Sequence, residues 1–134
     1  MTIRELSRYF YINKQIKQLQ NKLDVLEDQL LGGNSSQITG MPKNSNVSNP
    51  TEEVAIKIME LKEVIVNKRL KLIEEMIAIE KFIDTISDVE IQVIIRMRFI
   101  ELKTWHEIAE ELKYQRTAPY MKLKRYLKKH NKNT

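Results

Sequence analysis

From Val54 onward apolar residues recur at three- and four-residue steps, broken once at Lys68: Val54, Ile58, Leu61, Ile65, Leu72, Met76, Ile79, Ile83 and Ile86. Side chains at that spacing share one face of an α-helix, so the pattern predicts a long central helix over residues 51–86. A second row, Tyr9, Ile12, Ile16, Leu19, Leu23, Leu26 and Leu30, alternates threes and fours over three heptads. That is the seam of a coiled-coil-like arm over residues 1–31, and a single helix cannot bury it alone. Thr2-Ile3-Arg4-Glu5 has the capping-box spacing that opens a helix, and Gly32-Gly33 has the character of a helix end. With three Gly and three Pro in 134 residues, and helix formers throughout, strands have little to build on. The expected fold is all-α.

Between the two helices, residues 32–50 are rich in Gly, Ser, Asn, Thr and Pro, the composition of a flexible linker. Ile38 and Met41 within it read as part of a loosely packed loop, with a partner-docking stub as the alternative. Lys68 interrupts the central seam, as an exposed side chain or as a polar contact that fixes register. Ile56, Val64, Val66, Leu70, Ile73 and Ile77 fall off that seam. The apolar surface is therefore wider than one partner helix covers, which points to a bundle or a homo-oligomer, with a dimer favoured and the long helices pairing within or between subunits.

Residues 87–134 read as three short helices ending in a helix-turn-helix. Ser87-Asp88-Val89-Glu90 and Thr104-Trp105-His106-Glu107 both match the capping box. Val89, Val93, Ile94, Met97 and Ile100 would form the buried stripe of the first helix, and Trp105, Ile108, Ala109 and Leu112 that of the second. Ala109 is small where two crossing helices would approach closely. The third helix is expected from about Ala118, with Thr117 as its N-cap, Pro119 in its first turn and Tyr120, Leu123, Tyr126 and Leu127 inward. From Leu112 to the last residue there are eight Lys or Arg and no acid, against 15 cations and 18 acids in residues 1–111. Cations gathered on one terminal helix suit a phosphate backbone; the bland alternative is a solvated basic tail. The candidate DNA-binding residues are Lys113, Gln115, Arg116, Thr117, Lys122, Lys124, Arg125, Lys128 and Lys129. Gln115, Arg116, Thr117 and Lys122 would read bases, and the other five would hold the backbone.

An enzyme is not expected, nor a metal or other cofactor. His106 and His130 are the only imidazoles and lack suitably spaced partners. Glu52-Glu53, Glu74-Glu75 and Glu110-Glu111 are adjacent pairs, and helix neighbours point roughly 100° apart rather than at one site. The chain has no Cys, which removes disulfides and thiolate chemistry. No apolar stretch approaches the roughly 20 residues of a membrane span and no signal peptide is visible, so a cytoplasmic protein is expected.

The Ile86–Leu127 stretch resembles region 4 of sigma-70-type factors, through Glu90, the Arg98-Phe99 pair, the Glu107-Ile108-Ala109 core and the basic last helix. It departs from that pattern at Lys113, where such turns commonly carry Gly. The chain as a whole is similar to small phage regulators of late transcription of the ArpU/RinA/Ltr-like group, including the linker motifs Ile38-Thr39-Gly40-Met41-Pro42 and Asn49-Pro50-Thr51-Glu52-Glu53. This resemblance implies a sequence-specific binder of double-stranded promoter DNA, working with host RNA polymerase in the bacterial cytoplasm. Two rivals remain open: the DNA-recognition small subunit of a packaging terminase, which would form a larger ring, and a coiled-coil interaction protein with a nonspecific basic tail.

Overall fold

The fold is known from a computed structural model that describes residues 1–32 and 50–131, with Pro50 by its backbone only. The described residues form helices joined by short turns and hold no strand: α1 (Ile3–Leu6), α2 (Arg8–Leu31), α3 (Pro50–Asp84), α4 (Val89–Ile95), a π-helical segment (Arg96–Ile100), α5 (Trp105–Leu112) and α6 (Ala118–Asn131). The expected linker, with Ile38 and Met41, lies outside the described residues. The chain divides into two compact units, one of Met1–Asn13 with Lys71–Thr134, the other of Lys14–Leu70.

The Lys14–Leu70 unit is built as the heptads predict. Ile16 and Leu23 of α2 and Ile58 and Ile65 of α3 are its buried residues, with Leu19, Leu26, Val54 and Leu61 half-buried beside them. Lys68, the interruption in the seam, is half-buried and donates to Gln15 Oε1 across 3.3 Å. Arg69 donates to Gln20 Oε1, also at 3.3 Å. The two long helices thus meet within one chain, and Lys68 makes a polar contact on the seam.

The other unit has the larger core. Leu6, Ile79, Ile83, Ile86, Ile91, Ile94, Ile95, Ile108 and Leu123 are nearly inaccessible, joined by Met97, Phe99 and Leu127. The N-terminal capping box forms: Thr2 Oγ1 accepts from Glu5 N, and Glu5 answers on Thr2 N. The helix it opens is interrupted, though. Ser7 Oγ bonds back to Ile3 O at 2.8 Å, and α1 ends there before α2 begins. The expected single arm over residues 1–31 is corrected accordingly: Leu6 belongs to the core of the C-terminal unit.

Three further expectations change. The central helix stops at Asp84 rather than 86, because Thr85 and Ile86 turn back on Phe82 O and Ile83 O. Gln92 Nε2 closes that end, donating to Ile86 O (2.6 Å) and adding a second donor to Ile83 O (3.2 Å), which also accepts from Ile86 N. The cap of α4 is Asp88, not Ser87. Its carboxylate accepts from Glu90 N and Ile91 N, a charged acceptor at the positive end of a helix dipole, which leaves Glu90 free to point elsewhere. The buried stripe of α4 is Ile91, Ile94 and Ile95, while Val89 is 67% exposed. Starting one residue later turns Val89 outward, and the π segment then shifts the helical phase so that Met97 and Phe99 both face inward.

Candidate nucleic-acid interface

The basic helix α6 is held by what precedes it. Leu102, at φ 60, and the bond from Lys103 N to Met97 O (3.0 Å) turn the chain out of the π segment. Thr104 then caps α5 as expected: its hydroxyl accepts from Glu107 N, and Glu107 reaches back to Thr104 N. Lys103 is braced beside it by Glu111 (2.6 Å) and Glu101 (3.4 Å), and the bond to Glu111, more than the second acid, raises its ammonium above the usual lysine range. Ile108 and Ala109 carry the buried face of α5, Ala109 being 2% exposed.

Lys113 closes α5 in the left-handed conformation, φ 60 and ψ 41. Tyr114 N bonds to Ala109 O at 2.8 Å and Lys113 N to Glu110 O at 3.2 Å, the paired bonds of a Schellman ending. Here the resemblance expects Gly, and the backbone makes the turn of a Gly with a lysine in its place. Such a residue carries strain on the order of 1 kcal/mol.

Trp105 and Tyr120 lock α5 to α6 by an edge-to-face contact, with centroids 5.3 Å apart. Trp105 is half-buried against the core, and Arg98 lies over its ring at 5.0 Å while donating to Lys103 O. His106, at the start of α5, is exposed and pairs with Glu110 at 3.1 Å. α6 begins at Ala118 as predicted, with Pro119 buried in the first turn and Leu123 and Leu127 inward. Tyr126 is half-buried, and that burial raises its hydroxyl above the usual range.

Of the nine candidates, Lys113, Gln115, Arg116, Thr117, Lys124, Arg125, Lys128 and Lys129 are exposed and Lys122 is half-buried. Three- and four-residue spacing puts Lys122, Arg125 and Lys129 in one row of α6 and Lys124 and Lys128 in a neighbouring one, with Met121 between. Gln115, Thr117, Lys122 and Arg125 come together around a shallow groove of roughly 430 Å³, which Tyr114, Ala118 and Met121 complete. Arg116 lies outside that lining, as do Lys113, Lys124, Lys128 and Lys129.

One acid enters this basic surface. Glu90 Oε2 accepts from both the Tyr114 hydroxyl and Lys122 Nζ. The Lys122 ammonium also sits 5.9 Å from the centre of the Tyr114 ring. Sequence reasoning gave Glu90 to a capping box, and its partners lie 24 and 32 residues away, beyond any local pattern. Lys122 therefore bridges the base of α4, the turn and α6. Among the described residues no group of three or more acids or histidines could hold a metal ion, and no helix is long and apolar enough to cross a membrane.

The architecture defines an all-α protein whose terminal unit presents a cationic helix behind a tight turn. The chain belongs to the DUF1492 family, described as proteins of unknown function, whose model matches residues 35–131. No curated protein and no solved structure matches it. The matched span ends at Asn131, the last residue of α6, and so takes in the whole candidate interface.

Proposed function

We propose that this protein is a sequence-specific, non-enzymatic binder of double-stranded DNA that regulates phage or prophage promoters together with host RNA polymerase. The observation that carries the reading is the presentation of α6: five cations on its outer rows, with Gln115, Arg116 and Thr117 at its entry. In a helix-turn-helix the entering residues of the second helix approach base edges in the major groove, while cations further along neutralise phosphates. Arg116 suits guanine and Gln115 suits adenine in that role. The promoter and polymerase parts of the proposal rest on the resemblance to sigma region 4 and to the late-transcription regulators.

The test is selection of fragmented phage DNA by purified protein at about 0.15 M salt, near physiological ionic strength. Retention of a promoter-proximal site, lost in Arg116→Ala, is the expected result. Retention of a packaging site would move the reading to a terminase subunit. Uniform, salt-labile retention unaffected by Arg116→Ala would sink it in favour of a basic tail.

A further inference from the structure

The central helix carries a second apolar seam that no described residue of its own chain covers. Ile56, Met59, Val66 and Leu70 are exposed in the Lys14–Leu70 unit, at 49%, 71%, 52% and 56%. Ile73 and Ile77 continue the row along the same helix, at 47% and 46%. With Glu63 filling the one gap, positions 56, 59, 63, 66, 70, 73 and 77 alternate steps of three and four. That is a heptad pattern three repeats long, extending roughly 32 Å at about 1.5 Å per residue. The residues that pack against α2, among them Ile58 and Ile65, belong to a different row. One helix thus bears two seams, and among the described residues one is packed and the other exposed.

We propose that this outer seam of α3 is the self-association surface, and that its occupant is the same helix of a second copy, parallel and in register. The seam matches itself: placing Ile56, Glu63, Leu70 and Ile77 at a positions makes Met59, Val66 and Ile73 the d positions, and two such faces interdigitate layer by layer. The flanking charges agree with a parallel pairing. Arg69 falls at a g position and Glu74 at the following e position, so each Arg69 lies across from Glu74 of the second copy. Lys62, at the g position before Glu63, flanks Glu63 of the second copy and offsets the one charged layer. Neither pairing depends on DNA, and the proposal stands apart from the DNA reading.

The test is the mass of the full chain in solution at micromolar concentration, without DNA. The expected mass is that of two 15.9 kDa chains. Leu70→Glu removes an apolar layer and adds a second carboxylate layer to the one at Glu63, and weakens self-association by at least roughly a hundredfold. Leu70 is exposed in the single chain, so far-ultraviolet dichroism stays unchanged, and Val66→Glu provides an independent variant with the same expected outcome. Because the protein has no cysteine, Leu70→Cys gives a single crosslinking site, and it joins two chains on mild oxidation when the helices are parallel and in register. A single-chain mass for the wild type, a mass above two chains, a dimer that survives both Glu variants, or failure of Leu70→Cys to crosslink would each overturn the proposal. None of these outcomes bears on whether Arg116 reads DNA.

Discussion

The two compact units use the same residue types to different ends. In the C-terminal unit, isoleucines from α3 and α4 meet Leu6, Ile108, Leu123 and Leu127 in a core closed on every side. Among the described residues of the Lys14–Leu70 unit, Ile16, Leu23, Ile58 and Ile65 are buried, while Ile56, Met59, Val64, Val66 and Leu70 of α3 stay exposed. The difference teaches that amphipathicity alone does not say what an apolar face is for. A helix with one stripe completes a core, and a helix with two can complete one core and offer another.

The sharpest way to break the comparison is to truncate one side chain on each side of it. Ile94→Ala removes a fully buried side chain and should cost about 2–5 kcal/mol in urea unfolding. Leu70→Ala should cost well under 1 kcal/mol in the single chain, measured at a concentration too low for self-association, because the residue is over half exposed there. Similar losses would mean that the two faces are equally enclosed. Next in size is Gln92→Ala, which removes the Nε2 donor from Ile86 O and leaves Ile83 O with Ile86 N alone at a part-buried helix end. A loss of about 1–2 kcal/mol is expected, with Gln92→Glu failing to rescue because a carboxylate cannot donate.

Much of this was legible in the sequence. The α2 and α3 seams, the caps at Thr2 and Thr104 and the start of α6 follow from spacing and capping chemistry, which are local. What failed was decided by competition or by distance. Ser87 and Asp88 are adjacent cap candidates, and only the folded geometry shows the carboxylate taking both amides. Of the stripe counted from Val89, Ile94 and Met97 are buried and Val93 and Ile100 half-buried, but Val89 is exposed, and Ile91, Ile95 and Phe99 were not counted. The contacts of Glu90 with Lys122 and Tyr114 were not legible, because nothing local links residues so far apart.

Lys113 offers a smaller effect within the C-terminal unit. Lys113→Gly relieves a left-handed lysine and should raise stability by about 0.5–1 kcal/mol, measured by thermal unfolding. If Lys113 contacts a phosphate, the same change lowers the steepness of the salt dependence of DNA binding by about one unit. The smallest effect belongs to the Arg96–Glu80 pair. Arg96 meets both oxygens of Glu80, at 3.1 and 2.9 Å, and that hydrogen bonding holds the carboxyl below its usual range. Both side chains are about two-fifths exposed, so Glu80→Gln should cost less than about 1 kcal/mol at neutral pH. A carboxyl with a lowered folded-state pKa stabilises above its unfolded value of about 4.3 and loses that contribution as pH falls through the folded one. The wild-type advantage over Glu80→Gln should therefore shrink below about pH 4. A gap that is constant from neutral to acid pH would show that the pair contributes through packing alone.

The most direct measurement of the central claim is the salt dependence of duplex binding by the wild type and by an Arg125→Ala/Lys129→Ala variant. These residues share one row of α6, away from the core. If α6 lies along a phosphate backbone, the log–log slope falls by about 1.8, roughly 0.9 for each contact removed, while the folded stability of the protein is unchanged. An identical slope for the two proteins, or a wild type that holds no duplex at low salt, would contradict the account.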